Sequence, residues 1–427
     1  MSAVDLDSSP PEIRVLHRQP HAPVRHPDGS LRWDWDMLVA EARRGVEAAL
    51  TWGPFASIGI DTWGVDYGLL DAEGLLLAPP YSYRDPRTNT WREVADRLGP
   101  ERLYSTTGIQ LMAINTVFQL AAHDRDELDR ATRALLLPDL LAHDLTGEEV
   151  AERTIAGTTA LVDVQSGTWS TELIADLGLP LSLFPSIVPP TTRVGKWSGV
   201  PVHAVGGHDT ASAVVALPGP PAERAAFVSS GTWMLVGAER AEADVSVAAR
   251  AANFSNEPGA FGGVRFLKNL MGLWMLEQCL AEWGNPPLDA VLGDAGGVRA
   301  GPVVDATDER FLAPVSMDAE VRAAAGLKPS AGRERVVRCI LDSLAATTAS
   351  VVNELQQFLG GPVTEVHVIG GGSRNVLLNR LTEAACGVPV RVGPAEATTL
   401  GNALAQGIAL GRYRDIDEAR RSLVKEA

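Results

Sequence analysis

The sequence predicts an α/β protein of two similar domains with a cleft between them. Three observations predict it. Apolar strands feed glycine turns and then helices, as in VPVHAVGG before DTASAVVAL and EVHVIGG before NVLLNRLTEAACG. The two halves rhyme: IDTWGVDYGLL in one and SSGTWMLVGAE in the other each read as hairpin-like strands around a T-W turn. PGPPA, residues 218–222, lies between them and reads as a linker. At 427 residues the chain is too long for a single core. The expected domains are 1–217 and 222–427.

The elements follow in order. EIRVLHR, residues 12–18, alternates and reads as a strand. PVRHPDGSLRWDWD turns at Asp28-Gly29. DMLVAEARRGVEAALTWG has helical spacing, with Leu38, Ala42, Val46 and Leu50 on one face. FASIGIDTWGVDYGLLDAEGLLLAP gives a strand, a bend at Gly64, a second strand and a turn at Asp71 to Gly74. Residues 90–185 read as mostly helical, broken at Pro138, Gly147 and Pro180. VPVHAVGG is a strand and DTASAVVAL a helix. Beyond the linker AAFVSSGTWMLVGAE makes strand, turn and strand, and VRFLKNLMGLWMLEQCLAEWG reads as one long amphipathic helix. The chain closes with the helix RCILDSLAATTASVVNELQQFLG, the strand EVHVIGG, the helix NVLLNRLTEAACG, the strand VPVRVG and the helix TTLGNALAQGIALG.

Composition narrows the function. A net charge of −16 argues against a nucleic-acid partner, which needs a basic face. It leaves room for anionic metabolites, which need only a local cluster of donors. Cys279, Cys339 and Cys386 show no CxxC spacing and read as reduced thiols rather than zinc ligands. The stretch from Met1 to Arg14 is polar and holds no apolar segment of a signal peptide, and no uncharged apolar run reaches spanning length. The expectation is a cytoplasmic protein with no membrane partner.

Six short stretches can carry chemistry. In VHAVGGHDTASAV, residues 202–214, a strand ends in two glycines and presents His208, Asp209 and Thr210 ahead of a helix. They read either as a reacting group or as a helix cap. In VIGGGSRN, Gly370 to Gly372 let backbone approach a ligand, with a helix beginning near Asn375. The run is neither GxGxxG nor a Walker loop, and a plain tight turn reads as well. SSGTW, residues 229–233, offers a phosphate nest at Gly231 or a hydroxyl-stabilised hairpin turn. IDTWGVD puts Asp61, Trp63, Gly64 and Asp66 at one strand end; Trp63 reads as core more than as a sugar platform. KNLMG places Lys268 and Asn269 at a helix start, as polyol ligands or a cap. YRDPRT adds Arg84, Asp85 and Arg87, read as a solvated ion cluster.

In their order these motifs resemble the FGGY family of carbohydrate kinases from residue 20 to residue 410. IDTWGVD and LKNLMGLW resemble the branch acting on L-rhamnulose. The resemblance implies two ribonuclease-H-like (actin-like ATPase) domains, with sugar and ATP in the inter-domain cleft. It implies a phosphoryl transfer from ATP, with Mg2+, to a ketose, with Asp209 as the catalytic base. At a helix N-terminus that carboxylate is expected to stay ionised. Gly64, His208, Thr210 and Asn269 would flank the sugar. Gly231, Thr232, Glu277 and Gly371 would meet the nucleotide, and Asp5 matches a family aspartate near the metal.

Two departures carry a second expectation. The family opens with a strand, a glycine-rich phosphate loop ending in arginine, and another strand. Here AVDL is followed by Asp7, Ser8, Ser9, Pro10 and Pro11, and then by EIRV, without the loop glycines. Pro10 and Pro11 cannot donate N–H groups, and Arg14 does not replace the loop arginine. Where the family has a glutamine eight residues after the Asn269 position, this chain has Glu277, whose charge repels a nucleotide. The alternative is a degenerate kinase, a sugar-binding or regulatory protein with weak phosphoryl transfer. Reading His208-Asp209 as a metal-ligand pair would need further converging histidines.

Overall fold

A computed structural model of the chain describes residues 1–218 and 224–423. It resolves into two compact units. One comprises Met1–Pro220, Arg240–Phe266 and Ala397–Ala427; the other comprises Pro221–Glu239 and Leu267–Glu396. Apart from Pro218, the expected linker PGPPA lies outside the described residues.

In the first unit Ser2–Asp5 pairs antiparallel with Glu12–Val15, so residues 6–11 close a hairpin. Gly29, at φ 87°, turns the Val24–Arg25 and Leu31–Arg32 pair. The helix Trp35–Trp52 starts at Asp34, whose carboxylate accepts the Met37 N–H. The strand Ile58–Gly59 then pairs in parallel with Val200–His203, which runs antiparallel to Arg193–Trp197.

The next strand departs from the expectation. Tyr67–Leu70 does not fold back on Ile58–Gly59 as a hairpin; it pairs antiparallel with Arg133–Leu136. Between them Val65 adopts φ 69°. The Thr116 hydroxyl donates to the Val65 carbonyl at 2.7 Å, and the Thr158 Oγ1 accepts the Val65 N–H at 3.1 Å. Asp66 is fixed by the indole N–H groups of Trp33 at 2.8 Å and Trp63 at 3.0 Å. These tertiary bonds carry the chain away where a local turn would return it. The principal core of this unit gathers Leu103, Phe118, Ile155, Leu161 and Leu173. Each such side chain contributes about 2 kcal/mol by leaving water.

The chain's last helices complete the unit. Ala397–Ala409 packs on the Asp209–Val215 helix, and Gly401 lies against the Ser212 carbonyl where a side chain would collide. Arg420 donates to the carbonyls of Val214 at 2.8 Å and Val215 at 3.2 Å, adding a charged donor at the C-terminal end of the short helix.

In the second unit Ala225–Ser230 and Trp233–Arg240 form the expected hairpin, with Ser230 opposite Met234. Ala225–Ser230 also pairs in parallel with Glu365–Ile369, and that strand with Val390–Val392. The helix Arg333–Phe358 is long and apolar enough to cross a membrane by composition. It lies 67% buried within the protein over its most apolar window, as a core helix does.

The long helix expected from residue 264 is instead a strand followed by a shorter helix. Val264–Met271 is extended, and only Trp274–Glu282 is helical. Phe266, Leu267, Leu270 and Met271 are all buried. A strand covered on both faces shows paired apolar residues four apart, a spacing that also suits a helix.

Candidate active site

Across residues 202–217, Asp209 alone is not buried. Its carboxyl is 44% exposed. The local sequence explains why. The strand Val200–His203 ends in Gly206 and Gly207, and both positions lack room for a side chain. A Cβ on Gly206 would lie 2.8 Å from the Ser212 nitrogen, and one on Gly207 would lie 2.9 Å from Glu152 Oε2.

Glu152 holds this turn from below. It accepts the Gly207 N–H at 2.9 Å, the Thr154 hydroxyl at 2.6 Å, and the N–H groups of Thr154 at 2.9 Å and Ile155 at 3.2 Å. Burial pushes its carboxyl above the ordinary range, against the pull of those donors. Asp139 accepts the Glu152 N–H from beneath, and burial and then the Glu152 charge push it well above its ordinary value.

IDTW and GGHD meet edge to edge. The Thr62 N–H donates to the Gly207 carbonyl at 2.9 Å, and the Asp209 N–H donates to the Thr62 carbonyl at 2.8 Å. Asp61 is therefore beside the turn. It is half-buried, and the loss of water around it pushes its carboxyl up to about 7. A 2.5 Å bond from Asn402 Nδ2 opposes that rise, and the field of Asp209 adds to it. Gly64, two residues beyond Thr62, packs on Thr158, to which a Cβ would stand 3.1 Å away.

His208 precedes the helix, its N–H donating to Thr154 Oγ1 at 3.2 Å. Its Nδ1 faces the buried Arg265 and Glu257, and its Nε2 lies 3.6 Å from Asp209 Oδ1. The Thr210 hydroxyl donates to Asp209 Oδ1 at 3.1 Å, so it orients that carboxylate. The Thr398 hydroxyl donates to the Asp209 carbonyl at 3.2 Å.

Three motifs converge in the second unit. The Gly231 carbonyl accepts the Leu273 N–H at 2.9 Å, and the Thr232 carbonyl accepts from Gly272 at 3.2 Å and Trp274 at 3.1 Å. Gly372 abuts Ser230 Oγ and Leu273, leaving no space for a Cβ, and Gly370 takes φ 86° against the Ser230 carbonyl. A Cβ on Gly371 would point into open space. The Thr232 hydroxyl donates to Glu277 Oε2 at 3.2 Å. The Gly231 N–H is taken by the Trp233 carbonyl at 2.9 Å, so this amide closes its own turn. The helix Val376–Cys386 begins where the sequence suggested, capped by Asn375.

Other positions fall differently. Asn269 is half-buried on a strand, where a helix start was expected. Its neighbour Lys268 pairs with Glu354 at 2.7 Å. Trp63 is half-buried, its ring 4.4 Å from Trp33 and stacked on His21 at 5.4 Å. The YRDPRT cluster is not solvated: Asp85 is 5% exposed and accepts the Leu31 N–H at 2.6 Å. Arg87 donates to Gln119 at 2.7 Å. Asp5 accepts the Asp7 N–H at 2.8 Å and the Ser8 hydroxyl at 3.0 Å within its own hairpin, which hold its carboxyl below the ordinary value. Among the described residues no group of three or more His, Cys, Asp or Glu side chains is placed to hold a metal ion. Asp5 can thus offer a cation one carboxylate. That suits Mg2+, which keeps most of its shell as water and substrate phosphate.

Glu152, Asn402, Glu257 and Arg265 are parts of the site that the sequence reading passed over, and Asp61, named within IDTWGVD, had no role assigned to it. Charges set in apolar stretches, such as Arg265 in GGVRFLKNLM, were the available signal.

Comparison with known proteins bears on the whole chain. The N-terminal domain of the FGGY family of carbohydrate kinases matches residues 25–216, and its C-terminal domain matches residues 226–410. A rhamnulokinase of Klebsiella pneumoniae (strain 342) is 42% identical over 424 residues, and one of Enterobacter sp. (strain 638) is 40% identical over 423. Both alignments cover 96% of this chain and 86% of the relative. Among solved structures, a ligand-bound xylulose kinase from Lactobacillus acidophilus superposes with a TM-score of 0.76 at 15% identity, over 94% of this chain and 85% of that one. A Plasmodium falciparum glycerol kinase with ADP does so with 0.74 at 15% identity, over 98% and 88%. Those two likenesses attest the fold, which is the expected two-domain α/β fold of the actin-like, ribonuclease-H-like class. Both halves of the chain match, and the chain belongs to the FGGY family of carbohydrate kinases.

Proposed function

We propose that the protein transfers the γ-phosphoryl group of ATP to the 1-hydroxyl of L-rhamnulose, giving L-rhamnulose 1-phosphate. The names of its relatives at 40–42% identity support the substrate. The observation that carries the reading is Asp209, the one exposed side chain in a buried turn. Phosphoryl transfer needs an alcohol in line with the γ-phosphorus and an acceptor for its proton. A carboxylate is a weak base near neutral pH. It suffices where proton transfer is late and positioning supplies most of the rate.

The Thr210 hydroxyl and the Thr62 carbonyl fix Asp209 for that task. His208, Gly64 and Asn269 complete the sugar's surroundings in this reading. Gly231, Thr232, Glu277 and Gly371 meet the nucleotide, where open space above Gly371 admits a ligand. Mg2+, when bound with ATP, neutralises phosphate charge, and Asp5 is its protein carboxylate. Three free cysteines suit a cytoplasmic enzyme.

The test is ADP release coupled to L-rhamnulose addition, for the native protein and Asp209→Asn. A loss of about 10² to 10⁴ in kcat is expected for removal of a general base. Equal rates would remove Asp209 from that role.

A second reading, a degenerate kinase that binds the sugar, draws on two observations. Glu277 occupies the Thr232 hydroxyl, and the first hairpin holds Asp5 with its own loop. Calorimetric titration separates the readings. Ketose binding without Mg·ATP binding would favour the second, and tight Mg·ATP binding would end it.

A further inference from the structure

Behind His208 lie two buried charges. Arg265 is 1% exposed and Glu257 is 3% exposed. Arg265 Nη2 stands 3.0 Å from Glu257 Oε2 and hydrogen-bonds His208 Nδ1 at 3.2 Å. Glu257 Oε2 is itself 3.2 Å from Nδ1. The far nitrogen of the ring, Nε2, faces Asp209 Oδ1 at 3.6 Å.

A guanidinium has five donors and no acceptor. Its bond to Nδ1 therefore uses the lone pair of that nitrogen. On a neutral ring that bond places the proton on Nε2, whereas a proton on Nδ1 would go to Glu257 Oε2, which stands at the same 3.2 Å. The Glu257 carboxylate is engaged by the guanidinium, which keeps the buried positive charge compensated.

We propose that Arg265, held by Glu257, locks His208 as the Nε2–H tautomer, so that the ring presents a donor beside the Asp209 carboxylate. This rests on the reading of His208 as a neighbour of the ketose. The chemical consequence is specific. A donor at Nε2 binds a lone pair of a ketose oxygen and leaves the hydroxyl hydrogen to Asp209. An acceptor at Nε2 would compete with Asp209 for that hydrogen. Arg265 and Glu257 are thus positioning residues, acting on substrate through His208.

The test is nitrogen–proton correlation on protein labelled with 15N-histidine, with the His208 signals assigned by their loss in His208→Gln. The native protein is expected to show the Nε2–H pattern, and Glu257→Gln is expected to keep it. Arg265→Lys keeps a positive charge opposite Glu257 but loses the planar fork, and is expected to give mixed tautomers. Its KM for the ketose should rise about tenfold, one hydrogen bond's worth, with kcat little changed. An Nδ1–H ring in the native protein, or a tautomer that switches in Glu257→Gln, would overturn the proposal, because Glu257 would then be the acceptor that sets the ring. If Arg265→Lys does not fold, the native and Glu257→Gln spectra still decide. They need no substrate, so their outcome is separate from the identity of the sugar.

Discussion

Replacing Asp61 with asparagine should make the protein more stable at neutral pH and leave it unchanged in acid. Burial, with the Asp209 charge, raises the Asp61 carboxyl from its ordinary 3.8 to about 7, despite the bond from Asn402. At 1.36 kcal/mol per pH unit, keeping it ionised above pH 7 costs about 4 kcal/mol. The direction follows from proton counts. Between 3.8 and about 7 the folded chain holds a proton that the unfolded chain has released. Stability therefore falls as pH rises through that window and levels off above it. Asparagine keeps the shape and an acceptor for Asn402, and carries no charge. Urea denaturation, followed by tryptophan fluorescence from about pH 4.5 to 7.5, measures the difference between the two proteins. The gap should open from about 1 kcal/mol at pH 4.5 to about 4 kcal/mol at pH 7.5 in favour of the variant. Asp139, Glu152 and Asp66 are common to both proteins and cancel. Parallel curves, or a variant less stable at pH 7.5, would refute the reasoning.

Three further substitutions separate stability from ligand binding. Glu277→Gln removes a negative charge from the Thr232 turn and should lower KM for ATP about fivefold, read from initial rates against ATP. Gly371→Ala places a methyl group in open space. It should leave the denaturation midpoint unchanged while raising KM for ATP about tenfold, and equal KM values would move the nucleotide elsewhere. Gly401→Ala drives a methyl group into the Ser212 carbonyl beneath the Asp209 helix. It should cost about 3 kcal/mol in urea denaturation.

Much of this was legible in the residues, for reasons that the structure makes physical. The GGHD, SSGTW and IGGG turns stand where local chemistry decides the backbone. Gly206 and Gly207 have no room for side chains, and Gly370 needs a positive φ. The strand Val264–Met271 was not legible, because burial on both faces gave it the spacing of a helix. The missing hairpin at IDTWGVDYG had the same kind of cause, since Thr116, Thr158 and Trp33 decide that bend from afar. Nor could the sequence pair Asp61 with Asn402, 341 residues on, or Arg265 with His208, 57 residues before it. Such partners are chosen by topology, which no local window contains.

The central claim is that Asp209 takes the proton from a sugar alcohol as phosphate arrives. Its most direct measurement is transfer of labelled γ-phosphate from ATP to L-rhamnulose, with the position of the product's phosphate read by NMR. The native protein should label the 1-position, and Asp209→Asn, still binding both substrates, should label at least about a hundredfold more slowly. Undiminished labelling by Asp209→Asn, or a phosphate on another hydroxyl, would contradict the account.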